Sequence, residues 1–280
     1  MFDAFNNNIK SVFIQIRSRG DALYKSKIVN INNNVEENFD PLEYTLSLGN
    51  LLNINVHAWI NTYLVWSSSS SPVDSTHIYY SNPEWFDSNQ FGKLTYENNL
   101  TDNDSYDWKG LFLSPNNPQV NLYILNLVKE IILNYPSLSG IHFDYIRFQD
   151  RYYGFNKIGL KEFKEKYSFD PKDIINGKIN EKYGWSKSEV DSISNLWFNS
   201  NCDNITNLLK SIRTHLKTTN SDILISAAVK SNPIESKNRW FQDWKLWIED
   251  DIVDFIIPMN YAVESKIFMN NLKAISSNIL

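Results

Sequence analysis

The chain has 280 residues, a formal net charge of −5 and 42% hydrophobic residues, which is enough for one large or two small globular domains. No basic run provides the electrostatic footprint of a nucleic-acid-binding protein, so no nucleic-acid partner is expected. No apolar run approaches the roughly 18 residues of a membrane span. The single cysteine, Cys202, excludes an internal disulfide framework.

Short apolar runs alternate with longer amphipathic stretches along the chain, and this predicts strands alternating with helices. The predicted strands are residues 11–17, 54–60, 140–148, 223–229 and 253–261. The predicted helices are residues 40–53, 117–135, 239–249 and the segment from 265 to the end, and residues 159–217 are predicted to be mostly helical. The polar stretch between the second strand and residue 117 is predicted to be loop.

The lengths of the crossovers between strands predict a parallel sheet. Two architectures compete for such a sheet, namely a doubly wound sheet and a (β/α)8 barrel. The sequence has neither G-x-G-x-x-G after its first strand nor G-x-x-x-x-G-K-[ST]. Nucleotide binding therefore has no support, and no cofactor is expected.

The alternation of side chains along the strands favours the barrel. In the first strand, Val12, Ile14 and Ile16 share one face, whereas Gln15 and Arg17 lie on the other. Several later strands repeat this division, and their second face becomes polar towards the carboxyl end. In a barrel, the apolar faces meet the helices and the polar ends converge at the mouth, where barrel enzymes place their chemistry.

Five blocks of the sequence resemble a known family in their order: QIRSRGDALYKS, VHAWINTYLVW, SPNNPQVNLYILNLVKEI, GIHFDYIRF and DFIIPMNY. They resemble the glycoside-hydrolase-like family 10 proteins, which are bacterial (β/α)8-barrel proteins. The resemblance implies a glycosidase that acts on a cell-envelope or extracellular polysaccharide, with peptidoglycan glycan strands as a known type of target. It also implies a location in the cell envelope or outside the cell.

The resemblance implies a set of site residues at the barrel mouth, carried over by matching position. These are Arg17, Asp21, His57, Trp59, Asn61, His142, Asp144, Tyr145, Arg147, Asn260 and Tyr261. The chain departs from the family pattern at Thr62 and near Gln149, where proline is common, and these departures affect loop geometry more than chemistry.

Five predicted strands are fewer than the eight of a closed barrel. The resemblance places them as the second to sixth strands, so we expect an incomplete (β/α)8 TIM barrel. We expect it to form one domain over residues 1–280, truncated at both ends. An open parallel sheet exposes two edges, and the isolated chain is therefore expected to have low stability.

Glycoside hydrolysis usually needs two carboxyl groups that flank the scissile bond. Asp144 is the predicted central carboxylate, and Arg147 is expected to favour its ionised form, which suits a nucleophile or charge stabiliser better than a proton donor. The second carboxyl is Asp21, Glu264, a group that the sequence does not identify or one that belongs to the missing strands. Two structural alternatives stay open, namely an ion pair between Asp144 and Arg147 and a turn or cap role for Asp21.

His57 and His142 are expected to bond sugar hydroxyls or to orient Asp144, and no metal site is predicted because a third histidine is lacking at the mouth. Aromatic faces on or after the second strand suit a glycan cleft, although packing in the core or loops is an equal alternative. These residues are Trp59, Trp66, Trp85 and Trp108.

The expected partner of the chain is an oligo- or polysaccharide, and the sequence does not predict an oligomeric state. Two alternatives to a hydrolase stay open. One is a non-catalytic glycan-binding barrel, and the other is an inactive partial gene product.

Overall fold

The computed structural model describes residues 1–68, 70–93, 110–175, 177, 179–219 and 221–279. The strands are β1 (Ser11–Arg17), β2 (Asn55–Asn61), β3 (Leu64–Trp66), β4 (Leu111–Phe112), β5 (Gly140–Asp144), β6 (Leu224–Lys230) and β7 (Phe255–Met259). A parallel sheet has the order β1-β2-β5-β6-β7, and β3 pairs with β4 in a small antiparallel sheet.

The first helix precedes the parallel sheet in the chain, and the others lie between its strands or follow its last strand. They are α1 (Phe2–Asn6), α2 (Pro41–Leu52), α3 (Ile78–Ser81), α4 (Pro118–Asn134), α5 (Lys157–Tyr167), α6 (Pro171–Ile175), α7 (Ile179–Tyr183), α8 (Lys187–Thr218), α9 (Pro233–Trp240), α10 (Trp244–Glu249) and α11 (Ser265–Ile279), together with a 3₁₀ helix at Pro83–Trp85. No helix in the described ranges is long and apolar enough to cross a membrane.

The five predicted strands are confirmed, and so is the start of the second helix. Asp40 caps α2 by accepting hydrogen bonds from the backbone N–H groups of Leu42 and Glu43, and Pro41 occupies the first turn. These local signals were readable because each one depends only on neighbouring residues.

Three predictions of secondary structure are wrong. The polar stretch after β2 is not all loop, because it contains β3, α3 and β4. The helix predicted at 239–249 is instead the end of one helix and a second helix, separated by residues 241–243, and the backbone of Phe241 is left-handed at φ 55°. The strand predicted at 140–148 ends at Asp144, since Tyr145 is also left-handed, at φ 49°.

The two faces of the parallel sheet have the division that the sequence predicts. Val56, Ala58 and Ile141 belong to the buried apolar core between the sheet and the helices. Phe13 and Phe255 lie on the other face, and their ring centroids are 6.5 Å apart although β1 and β7 form opposite edges of the sheet. The sheet therefore curls around a lumen, which gives the architecture of a partial (β/α) barrel.

The lumen closes tightly around Gly140, the first residue of β5. A Cβ atom at this position would overlap the His57 ring and lie 3.1 Å from the Leu224 carbonyl oxygen. We predict that Gly140→Ala lowers the free energy of unfolding by about 1–3 kcal/mol through overpacking, measured by urea denaturation. Ser139→Ala, at the neighbouring half-buried position, is the control. The double variant His57→Ala with Gly140→Ala should regain stability relative to Gly140→Ala, and a strictly additive double variant would contradict this explanation.

Candidate active site

A cleft of about 740 Å³ opens where β1, β2 and β5 end. This is the carboxyl end of the parallel strands, where barrel enzymes hold their catalytic groups. Among the described residues, three carboxyl side chains line the cleft, together with two tryptophans and a set of amides and small polar groups. The principal lining residues are Gln15, Asp21, Asn30, Asn32, Trp59, Asn61, Trp66, Asp74, His77, Asp144 and Tyr145.

Asp144 is the last residue of β5 and lies beside Asn61, the last residue of β2, with which it is in register. Its Oδ1 accepts a hydrogen bond of 2.7 Å from the Tyr145 N–H. Burial raises the pKa of the Asp144 carboxyl above its ordinary value, and this effect outweighs the opposing contributions of the Tyr145 N–H, Arg147 and Lys230. Arg147 favours the ionised form of Asp144, as expected, but burial has the larger effect on the pKa of this carboxyl. The net shift favours the protonated carboxyl, which is the form that a proton donor needs.

Tyr145 forces the chain to turn directly after the carboxylate. Its left-handed backbone, at φ 49°, is unusual for a bulky residue, and such conformations cluster at functional sites. The turn brings Arg147 back under the Tyr145 ring, with the guanidinium carbon 5.0 Å from the ring centroid. Arg147 is buried, and its Nη1 donates to the Phe148 carbonyl oxygen at 3.1 Å. It lies behind the cleft wall and not on the cleft surface.

Asp21 lies in the loop after β1 and lines the same cleft as Asp144. It is 9% exposed, and its Oδ2 accepts a hydrogen bond from the Asn32 side chain. Its Oδ1 is buried and has no hydrogen-bond partner among the described residues. One oxygen is thus fixed by the Asn32 amide, while the other is a buried acceptor whose hydrogen-bonding capacity the described residues do not use.

Glu264, the alternative second carboxyl, is not brought to Asp144. It is exposed at the start of α11 and is not part of the cleft lining. Asn260 is likewise engaged outside the cleft, where its side chain donates to the Phe268 carbonyl oxygen at 3.1 Å. Tyr261 is 84% exposed. Of the two named candidates for the second carboxyl, Asp21 lines the cleft together with Asp144, and Glu264 does not.

Arg17 and Asn61 tie the ends of β1 and β2 together. Arg17 is 1% exposed, and its Nη1 donates to the carbonyl oxygens of Asn61 and, at 3.3 Å, Thr62. A register shift between Gln15 and Arg17 breaks the alternation of side chains at the end of β1. Arg17 was predicted at the barrel mouth, but its side chain does not line the cleft. Asn61 does line the cleft, and its Nδ2 donates to the Ser18 carbonyl oxygen at 2.7 Å.

His57 and His142 lie deeper in the lumen and outside the cleft lining. The His57 ring stacks on Phe13 with centroids 4.7 Å apart, and burial lowers its pKa. His142 Nδ1 is 3.0 Å from Ser226 Oγ, and burial together with His57 lowers the pKa of His142 to about 4. Both side chains face the lumen as predicted. They are packed as neutral rings below the mouth, however, and do not line the cleft in which a sugar is expected to bind.

Two of the four tryptophans proposed for a glycan cleft line it, namely Trp59 and Trp66. Trp85 does not, because its indole N–H donates to the Gln119 side chain at 3.2 Å and its ring packs against Tyr123. Trp108 lies outside the described residues.

Two cleft residues that the sequence did not predict, Asp74 and His77, lie in the polar stretch after β3. Asp74 accepts hydrogen bonds from the Thr76 N–H at 2.8 Å and from the Thr76 hydroxyl at 2.7 Å, and these bonds hold the Asp74 pKa below its usual value. His77 is buried beside Trp66, with ring centroids 5.4 Å apart. Neither residue follows a strand of the barrel, so the pattern that revealed Asp144 gave no signal for them.

The family Glycosyl hydrolase-like 10 matches residues 2–278. The chain belongs to this family. The resemblance expected from the sequence is thereby confirmed.

Curated relatives of this Glycosyl hydrolase-like 10 chain are distant in sequence. Glycosyl hydrolase DigH of Escherichia coli (strain K12) is 23% identical over 280 residues, which covers 90% of this chain and 54% of the relative. Glycosyl hydrolase YngK of Bacillus subtilis (strain 168) is 20% identical over 284 residues, covering 92% of this chain and 47% of the relative. The chain spans about half the length of these relatives.

Solved structures that resemble the Glycosyl hydrolase-like 10 chain share its fold at very low identity. A Family GH13_31 enzyme has a TM-score of 0.52 at 9% identity, with 100% of this chain and 51% of the other covered. A MutB mutant in complex with sucrose has a TM-score of 0.50 at 10% identity, with coverage of 99% and 50%. These similarities agree with the curled parallel sheet, and the predicted partial barrel is confirmed.

The raised pKa of Asp144 leads to a prediction about stability. When folding raises the pKa of a carboxyl, the free energy of unfolding of the protein falls as the pH rises through the pKa of the folded state. The folded protein then has to hold a charge that burial disfavours. We predict that Asp144→Asn unfolds at a higher temperature than the parent at pH 7. The difference should shrink as the pH falls below about 4, where the parent carboxyl is also neutral in both states.

Asp74→Asn is the matched control for this measurement, because the pKa of Asp74 is lowered and not raised. It should unfold at a lower temperature than the parent at pH 7. Thermal melts of the three proteins between pH 3 and 7 would check both signs. A lower melting temperature for Asp144→Asn at pH 7 would contradict the assignment of Asp144 as a carboxyl that burial disfavours in its charged form.

Proposed function

We propose that this chain forms the cleft of a glycoside hydrolase that acts on a cell-envelope or extracellular polysaccharide, with the glycan strands of peptidoglycan as a candidate substrate. The observation that carries the proposal is that Asp144 and Asp21 line one cleft at the carboxyl end of the barrel strands. Two carboxyl groups flanking a bound sugar are the usual requirement for glycosidic bond cleavage. The family assignment supports the same reaction class.

Asp144 is proposed as the general acid. Burial raises the pKa of its carboxyl, so the group holds its proton more readily than an exposed aspartate does. A general acid that protonates the glycosidic oxygen needs this property. The nearby positive charges of Arg147 and Lys230 would stabilise the carboxylate after the proton has been transferred.

Asp21 is proposed as the second carboxyl, acting as nucleophile or as the base for a water molecule. The Asn32 amide fixes one oxygen of the group, and the buried Oδ1 has no hydrogen-bond partner among the described residues. Either role would need this Oδ1 to meet the sugar or a water molecule along a fixed line of approach.

The other cleft residues suit binding of a sugar polymer. Trp59 and Trp66 provide aromatic surface, and the amide side chains of Asn30, Asn32 and Asn61 provide donors and acceptors for hydroxyl groups. An open cleft carrying both kinds of contact fits an extended chain of sugars better than a small enclosed metabolite.

Three carboxyl variants test the assignment of catalytic roles. We predict that Asp144→Asn and Asp21→Asn each lower reducing-end release from purified peptidoglycan glycan strands by about 100-fold to 10,000-fold, which is the usual contribution of a positioned acid or base. Glu264→Gln, at the exposed position outside the cleft, should leave the rate within about twofold of the parent, as surface substitutions usually do.

The three rates separate the alternatives. Unchanged turnover in Asp144→Asn would overturn its role, whereas a large loss in Glu264→Gln would move the second carboxyl to that position. Glycan binding by the parent chain without release of reducing ends from any cell-envelope polysaccharide tested would instead identify a binding barrel.

Substrate binding can be tested at the tryptophans. Trp66→Ala is predicted to raise KM by about tenfold, corresponding to the loss of roughly 1.4 kcal/mol of binding, with a smaller change in kcat. Trp85→Ala removes the same side chain from a position that packs on Tyr123 outside the cleft, and its KM should stay close to that of the parent. Equal effects of the two substitutions would show that Trp66 acts through stability and not through sugar contact.

A further inference from the structure

The loop that carries Asp21 is held from the outside by a separate part of the chain. We call residues 18–34 the Asp21 loop. Residues 64–68 and 70–86, which include β3 and α3, are called the cap segment. The two segments are far apart in sequence, yet both line the cleft. The contacts between them decide where Asp21 stands.

The first tie is made by His77 of the cap segment. Its Nε2 is 2.9 Å from the Arg19 carbonyl oxygen in the Asp21 loop, and its Nδ1 accepts a hydrogen bond of 3.1 Å from the Tyr79 N–H. Because Nδ1 is an acceptor and Nε2 faces a carbonyl oxygen, both bonds form together only when the ring is neutral with its proton on Nε2.

The packing around Gly20 shows that the Asp21 loop is pressed against this histidine. Gly20 has a left-handed backbone at φ +82°, and a Cβ atom there would lie 3.2 Å from His77 Cε1 and 3.0 Å from Ile78 Cγ2. The loop backbone therefore meets the cap segment directly, one residue before Asp21. Glycine is needed here both for the close approach and for the backbone conformation.

A second tie lies on the other side of Asp21. The Asn30 side chain donates to Asp74 Oδ2 at 3.2 Å and also bonds the Thr76 hydroxyl, both in the cap segment. The Asn30 carbonyl oxygen accepts from the Ala22 N–H at 2.8 Å, which links this tie to the residue that follows Asp21. Asp21 is thus bracketed by two attachments to one external segment.

We propose that His77 is a positioning residue that clamps the Asp21 loop and so sets the position of Asp21 in the cleft that Asp144 also lines. The proposal rests on the proposed function for the role of Asp21, whereas the clamp itself is independent of it. The charged groups that act on His77 are Asp21 and Asp74, which favour its protonation, and Arg17, which opposes it. Burial opposes protonation most strongly, so the pKa of His77 lies below its usual value and the neutral clamp persists at neutral pH.

Two isosteric substitutions divide the functions of the ring. In His77→Asn, the amide oxygen can replace Nδ1 as the acceptor that caps α3, but the side chain is too short to reach Arg19. In His77→Gln, the amide nitrogen can replace Nε2 as the donor to the Arg19 carbonyl, while the cap is lost. We expect His77→Asn to lower kcat about 10-fold to 100-fold through misplacement of a catalytic group, with KM changed less than about twofold. His77→Gln should retain most of the parent kcat.

Amide hydrogen exchange gives a readout that does not depend on catalysis. Exchange at residues 19–23 should accelerate in His77→Asn and stay near the parent rate in His77→Gln, with melting temperatures recorded for all three proteins. Parent-like exchange in His77→Asn would overturn the clamp, and equal loss of kcat in both variants would overturn its role in positioning. If the parent releases no reducing ends, the proposed function fails while the exchange rates still decide whether His77 holds the loop.

Discussion

The parallel register of β1, β2 and β5 is the constraint on which the site depends. Asn61 of β2 pairs with Asp144 of β5, and the Thr62 N–H donates to the Asp144 carbonyl oxygen at 2.8 Å. A slip of one residue would turn every side chain of a strand to the opposite face. The large apolar core under the outer face prevents such a slip, since it would bury Asp144 among the helices. The packing of the hydrophobic face therefore fixes the register of the strands, and the register in turn fixes the position of the Asp144 carboxyl at the barrel mouth.

The same geometry makes the site costly to maintain. Asp144 is held where its charge is disfavoured, and Tyr145 keeps a left-handed backbone. Arg17 is almost completely buried, and two of its guanidinium nitrogens find no hydrogen-bond partner among the described residues. Charges and strained residues of this kind persist only when surrounding structure imposes them. The hydrogen bonds from Arg17 to the ends of β2 offset part of that cost, because they join the first two strands where the cleft begins. Arg17 thus stabilises the strand ends beneath the cleft, whereas the family resemblance had placed it among the residues of the barrel mouth.

The sequence predicted the faces of the strands well and their depths poorly. A period of two residues shows that His57, His142 and Asp144 face the lumen, but it does not show that the histidines pack at the level of Phe13 while Asp144 reaches the cleft. The bulge that redirects Arg17 and the turn at Tyr145 depend on tertiary contacts, and their sequence signals are weak. Glu264 follows a strand just as Asp21 follows one. Only the folding of the loops determines which of the two lines the cleft. The loop after β1 returns so that Asn32 bonds Asp21, whereas Glu264 is exposed directly before α11.

The polar segment after β2 shows why such loop positions escape a local reading. Its β3 pairs with β4, and the Leu113 N–H donates to the Tyr63 carbonyl oxygen at 2.8 Å, so the segment is anchored on the barrel and not suspended in solvent. An anchored segment can transmit its position to whatever it touches, and it touches the Asp21 loop through His77 and Asn30. The barrel strands place Asp144 directly, whereas Asp21 depends on a second small sheet for its place. Asp21 and Asp144, which line one cleft, are therefore held by different parts of the fold, and a change in the polar segment can move Asp21 without disturbing Asp144.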